Sequence, residues 1–89
     1  NLRLDVDPKR AWADIHLREP PTNIMHADRD SLMRIPGIGS KSADAILRAR
    51  RIRRLTDLAQ LLKLGIRSQQ AAPYILLDGH RPPQQLSLF

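Results

Sequence analysis

One stretch limits what this chain can fold into more than any other: Met33-Arg34-Ile35-Pro36-Gly37-Ile38-Gly39-Ser40-Lys41-Ser42-Ala43. Proline has no N–H and biases the residue before it away from helical geometry, so a helix entering this stretch must stop near Ile35. Gly37 and Gly39 can adopt positive φ and admit close approach to the main chain. Ser40 is a good N-cap for a following helix. The expected result is two helices joined by a tight hairpin. Its outward N–H groups sit at a helix N-terminus, which is an anion site built from backbone. Read only as punctuation between two helices, the same residues would bind nothing.

Charge bears on that choice through its location. Residues 34 to 54 hold Arg34, Lys41, Arg48, Arg50, Arg51, Arg53 and Arg54 against the single acid Asp44, a balance of +6 that equals the net charge of all 89 residues. A basic run directly after a phosphate-shaped hairpin favours a polyanionic partner over a merely solvated helix face.

The pattern Leu32, Met33, Pro36-Gly37-Ile38-Gly39, Ala43 and Ile46 resembles the helix-hairpin-helix motif of proteins that hold DNA by its phosphates. The resemblance implies contacts from Gly37, Ile38, Gly39, Ser40, Lys41 and Ser42, without base reading, and Arg48 and Arg51 of the basic run join them as candidates.

Upstream, Asp7-Pro8 suits an N-cap followed by proline at the first helical position, so a helix is expected from Pro8 to about Leu17 with Ala11, Trp12 and Ile15 on one face. Trp12 reads as a core or domain-contact anchor, because it lies away from the basic run in sequence. Residues 1–6 alternate apolar and polar as a short extended lead-in, and Glu19-Pro20-Pro21-Thr22-Asn23 reads as a stiff linker. Asp28 should cap a helix from Arg29 to Ile35, and a longer one should follow from Ser40 to about Arg51. Thr56 should cap a further helix to Leu62, before a second, weaker hairpin at Leu64-Gly65-Ile66.

The two halves repeat. A shift of 28 places Gly37 on Gly65, Met33 on Leu61, Ile38 on Ile66, Ala43 on Ala71 and Leu47 on Ile75. One such unit cannot enclose a core, whereas two can. Arg67 replaces the second glycine, no proline precedes Gly65, and Pro73 delays the last helix, which is expected from there to about Leu77. The first hairpin therefore reads as the binding one and the second as core. On that view valine at Gly37 should abolish binding, and valine at Gly65 should harm folding.

The expected fold class is all-α: a tandem, paired helix-hairpin-helix domain at 23–78, preceded by an N-terminal helix and linker at 1–22 and followed by a flexible tail at 79–89. An apolar content of 42% allows a modest core, filled by Leu, Ile and Ala because Trp12, Tyr74 and Phe89 are the only aromatics. No cysteine is present, no signal peptide is evident and no apolar run approaches the ~20 residues of a membrane span. A soluble domain of the bacterial cytoplasm is the expectation.

Read together, Asp7-Pro8-Lys9, Ala11-Trp12-Ala13, Ile35 to Ala43, Arg50-Arg51 and Ala72-Pro73-Tyr74-Ile75 are similar to the C-terminal region of bacterial radical S-adenosylmethionine (radical SAM) proteins of DNA repair or modification. The similarity spans about residues 5 to 77, with Met25-His26-Ala27 where related domains often carry Asn-Thr-Ala. It implies a fragment whose parent catalytic domain, with its cluster-binding cysteines, lies elsewhere. This chain needs no cofactor of its own. His16, His26 and His80 are too dispersed for a metal site, Asp28 and Asp30 suit first-turn helix charges, and no catalytic residue emerges.

After Asp78-Gly79-His80-Arg81-Pro82-Pro83, which should break structure and project the terminus, Gln85-Leu86-Ser87-Leu88-Phe89 is similar to the peptide by which bacterial replication and repair proteins dock on the sliding clamp. That similarity implies Gln85 in a polar pocket and Leu86, Leu88 and Phe89 in an apolar groove. Two functions stay open at this level: a sequence-nonspecific DNA-binding module of a repair or modification enzyme, or a structural, protein-interaction domain packed on the parent. Phosphate contacts alone do not separate DNA from RNA.

Overall fold

The computed structural model describes residues 7–82. The lead-in at 1–6 and the clamp-like segment Gln85–Phe89 lie outside them. In chain order the elements are α1 (Pro8–His16), β1 (Thr22–Asn23), α2 (Arg29–Met33), α3 (Ser40–Ile52), α4 (Leu58–Lys63), α5 (Ser68–Ala71), a 3-10 turn (Ala72–Tyr74) and β2 (Ile75–Leu76). The fold is helical, with one two-stranded parallel pairing of Thr22 with Ile75 and Asn23 with Leu76.

Local chemistry sets the ends of these helices. Asp7 accepts from the Lys9 amide and precedes Pro8, opening α1. Asp28 accepts from the Ser31 amide at 2.9 Å and opens α2, which ends at Met33 rather than Ile35. Pro36 restricts Ile35, and the chain tightens instead through Ile35 N–H to Leu32 O and Ile38 N–H to Ile35 O. At α4 the cap is Asp57, not Thr56. The Asp57 carboxylate takes the Gln60 amide at 3.0 Å while Gln60 Oε1 takes the Asp57 amide at 3.1 Å, a reciprocal capping box. Gln60 Oε1 also accepts from the Thr56 amide, so the residue expected to cap is bound by the box.

Three expectations fail at the periphery. The helix foreseen from Pro73 to Leu77 is absent: α5 ends at Ala71, Pro73 lies in the 3-10 turn, and Ile75 and Leu76 are extended against β1. Thr22 and Asn23, read as linker, supply that partner strand. A two-residue strand has no periodicity to read, so neither half was visible. In α1 the inward residue is Ala13, fully buried, while Trp12 and Ile15 are 38% and 75% exposed. Trp12 is therefore not a core anchor, the first of the two roles expected of it.

The described part of the tail folds back. Asp78 and Gly79 take φ of 51° and 87°, the double positive φ of a tight hairpin turn, and Leu77 and His80 exchange both main-chain bonds. Arg81 then reaches the Glu19 carboxylate at 3.0 Å and Pro82 is buried.

Ile24, Leu32, Ile35, Ile38, Ala43 and Ile46 form the core with Leu55, Leu61, Ile66, Ala71, Tyr74 and Ile75. Positions related by the 28-residue shift agree through the hairpins and diverge after them, where Leu47 is helical and Ile75 extended. Gly37 and Gly65 have φ of 88° and 87°, α3 and α5 start at Ser40 and Ser68, and Ile38/Ile66 and Ala43/Ala71 are buried.

Candidate nucleic-acid interface

Between α2 and α3 the chain turns through Gly37, whose positive φ only glycine adopts without strain. Gly39 has φ −104°, ordinary extended backbone, and it is Gly39 rather than Ser40 that occupies the N-cap position. Ser40 is the first helical residue. With no side chain capping α3, the N–H groups of Gly39, Ser40, Lys41 and Ser42 find no acceptor among the described residues. The first bonded amide is that of Ala43, which donates to Gly39 O at 2.8 Å. Four consecutive donors at the positive end of a 13-residue helix therefore face solvent.

Ile38 behaves differently from its neighbours. Its side chain is fully buried and its amide donates to Ile35 O, so it holds the hairpin and presents no N–H of its own. Its carbonyl is also engaged. Lys9 Nζ, from α1, donates to Ile38 O at 2.6 Å. Burial pushes the Lys9 ammonium below its ordinary pKa, only partly offset by Asp7. Lys9 went unseen in the sequence because a lysine and a carbonyl 29 residues apart leave no spacing signal. Lys9, Gly37, Gly39, Ser42, Gly65 and Arg67 line one shallow depression, which brings both hairpin glycines and two cations together.

Along α3, Lys41, Arg48 and Arg51 are exposed at helical spacing and Asp44 lies within their stripe. Asp44 is held by Arg29 at 2.8 Å, and this bond, with Arg29 and Arg48 charge behind it, keeps its carboxyl below the usual range. The one acid of the basic run is thus answered from α2. Arg50 lies on the opposite face of α3 with Ala43 and Ile46: it donates to Ile24 O at 2.9 Å and to Ala27 O at 2.7 Å, tying α3 to the segment before α2. Arg54 faces Asp78 at 3.4 Å and Arg34 stands over the Trp12 ring. Of the seven basic residues, Arg34, Lys41, Arg48, Arg51 and Arg53 are exposed without an acidic partner among the described residues, Arg34 lying against the Trp12 ring.

Gly37 and Gly65 both matter to folding through their positive φ, and Gly37, expected to act in binding, is also the one in close contact. A β-carbon on Gly37 would stand 2.6 Å from the Arg67 carbonyl oxygen and 3.2 Å from Gln70 Cβ, so Gly37 is where the two hairpins touch. A β-carbon on Gly39 or Gly65 would meet nothing within 4 Å. Gly37 serves packing, and Gly39 leaves the solvent side of the amides open.

Among the described residues no group of three or more His, Asp or Glu side chains could hold a metal ion, and no helix is long and apolar enough to cross a membrane. Asp28 and Asp57 are helix caps.

Residues 23–49 match the family model for the helix-hairpin-helix motif. That span runs from β1 to the last turns of α3 and contains every unpartnered amide described above. No curated protein and no solved structure matches the chain. The motif is commonly a sequence-nonspecific DNA-binding element.

Proposed function

We propose that this chain grips the sugar-phosphate backbone of DNA without reading sequence. One observation carries the proposal: the four unpartnered amides of Gly39–Ser42, set beside the exposed cations Lys41, Arg48 and Arg51. A phosphate oxygen at the α3 N-terminus accepts two or more of these N–H groups and meets the positive end of the helix dipole. Arg48 and Arg51, about two and three turns beyond Lys41, neutralise the next phosphates. Main-chain amides present the same face to any sequence, so the grip is nonspecific.

Fluorescence anisotropy with a labelled duplex over a salt series tests this. Contact with about four phosphates gives a log–log slope of roughly −3 to −4. Gly39→Val puts its side chain into open space at an ordinary φ, so the fold persists while a phosphate is kept from the amides. It should weaken binding at least about tenfold. Unchanged affinity in Gly39→Val, or affinity indifferent to salt, rejects the reading.

The finer reading pairs α2–α3 with α4–α5 as two helix-hairpin-helix units, supported by the matching glycine φ values and helix starts at a 28-residue offset. The module would act within a bacterial DNA repair or modification protein, cytoplasmic and of radical SAM type, whose chemistry lies outside this chain. The similarity over residues 5 to 77 supports that. Gln85 to Phe89 would engage the sliding clamp, on the strength of the pentapeptide alone. A second reading, a surface packed on a parent catalytic domain, draws on Ile52 and Leu62, which are 78% and 64% exposed.

A further inference from the structure

The surface between α1 and α2 takes no part in the phosphate grip. At its centre is Trp12, the chain's sole tryptophan, turned outward because α1 packs through its neighbour Ala13. The Trp12 ring lies 4.5 Å from the His16 ring, tilted by 36°, and the Arg34 guanidinium sits 5.5 Å from its centroid. Arg34 is the C-cap of α2, the helix that leads into the first hairpin. A ring that the sequence separates from the basic run is therefore in contact with its first member.

Asn23, His26 and Ser31 line the hollow beside this ring together with Trp12 and Arg34, and no carboxylate lines it. Asn23 uses its carbonyl oxygen on the Met25 amide, which leaves its NH2 group for a ligand. An aromatic face, side-chain donors, a cation and no acid suit a flat heteroaromatic ring carried on an anionic strand. Leu17 and Ala27 complete the lining as an apolar wall against which a flat ring packs, and Arg34 is the one charge of fixed sign beside it.

We infer that Trp12 and Arg34 form a stacking platform for an unpaired nucleobase on a strand whose phosphates the Gly39–Ser42 hairpin holds. The inference rests on the phosphate reading for its second anchor. Stacking of a base on an aromatic ring is stronger than an exposed cation–π contact. An arriving base therefore displaces the Arg34 guanidinium, which turns to a phosphate of the same strand. Paired bases are not available for this, so single strands gain and duplexes do not. Every base has a π-face, so the preference is for strandedness and not for sequence.

Because Trp12 is the sole tryptophan, its emission reports the event directly. The full chain is titrated with oligothymidine, with an abasic strand of equal length and with duplex, in parallel with Trp12→Ala and Trp12→Phe. The expected result is quenching by oligothymidine and not by the abasic strand. Trp12→Ala should lose about tenfold on oligothymidine and nothing on the other two ligands. Trp12→Phe should retain most of the affinity, since it keeps an aromatic face. Oligouridine shows whether an RNA strand can supply the base, and quenching by either strand supports the platform. Equal quenching by the abasic strand, or a Trp12→Ala loss shared by all three ligands, overturns it. A Trp12→Ala variant that binds every ligand normally makes the patch a protein-contact surface and also overturns it. Duplex binding without quenching by any single strand rejects the platform and leaves the phosphate grip standing, whereas no binding at all rejects both.

Discussion

Replacing Gly37 by alanine should unfold this chain more readily than the same change at Gly65, although both glycines have the same φ near 88°. The backbone cost is common to the two: an L-residue in the left-handed region costs roughly 1–2 kcal/mol. The surroundings differ. At Gly37 the new methyl would lie 2.6 Å from the Arg67 carbonyl oxygen, a main-chain atom that can retreat only by moving the second hairpin. At Gly65 it would lie in open space. Overpacking of this kind costs about 1–3 kcal/mol, so Gly37→Ala should lose roughly 2–5 kcal/mol against about 1–2 kcal/mol for Gly65→Ala. A chain of 89 residues has only about 4–13 kcal/mol in total, so the first variant forfeits a large share of its stability. Urea denaturation followed by circular dichroism measures both. The thermal midpoint of Gly37→Ala should fall below that of Gly65→Ala by at least about 4 °C. Equal losses, or a larger loss at Gly65, would mean that the hairpins do not meet through Gly37.

Other consequences can be checked on the same protein. Arg50→Met removes donors to two carbonyls and should lower the midpoint while leaving the salt slope of DNA binding intact, whereas Arg51→Met should reduce that slope by about one with little effect on folding. Asp57→Ala breaks the capping box and should cost about 1 kcal/mol of stability in urea titration, while Thr56→Ala should cost less. Asp14, Asp28 and Asp44 are all held below the ordinary carboxylate pKa, by the Tyr74 hydroxyl and Arg18, by the Ser31 amide and by Arg29 respectively. Their contributions are complete above the unfolded pKa and are lost as pH falls through the folded ones, so the midpoint should decline below about pH 4, and less steeply in Asp14→Asn. Tyr74 has the opposite sense: burial and the bond to Asp14 raise its pKa, so its neutral form stabilises the fold up to about pH 10 and that support is lost above.

The hairpin was legible because all of its determinants are local. Pro36 stops a helix, a glycine turns, and the amides of the next helix follow within six residues. The 28-residue repeat was legible for a similar reason, since a fixed offset survives substitution at individual positions. What escaped are contacts whose partners carry no pattern. Arg50 stands at helical spacing with the apolar Ala43, Ile46 and Leu47, but the Ile24 and Ala27 carbonyls that receive it there carry no sequence signal. Lys9 meets a main-chain oxygen that could belong to any residue. Thr56 and Asp57 are both competent caps, and Gln60, three residues beyond Asp57, decides between them. In α1 the small Ala13 is buried and the larger Trp12 is left out, which reverses what size alone suggests.

The second hairpin constrains the first chiefly through its main chain. Arg67 stands where the repeat would place the counterpart of Gly39, and its carbonyl and β-carbon lie 2.6 and 3.3 Å from where a Gly37 β-carbon would be. A residue at 67 whose carbonyl points at the first hairpin makes glycine obligatory at 37. The first hairpin is thereby seated by the second, with its own binding edge left out of the contact. The two glycines of the first hairpin consequently have separate tasks. Gly37 fits against Arg67, and Gly39 keeps side-chain atoms away from the amides of α3. Lys9 fixes the same turn from α1 through the Ile38 carbonyl. The second hairpin and α1 thus brace one short loop, and the ordering entropy of the four amides is met on folding and not when an anion arrives. On the proposed phosphate reading, that preorganisation would let the first hairpin hold phosphate with few cations, and would make the second hairpin necessary to binding through its contact at Gly37.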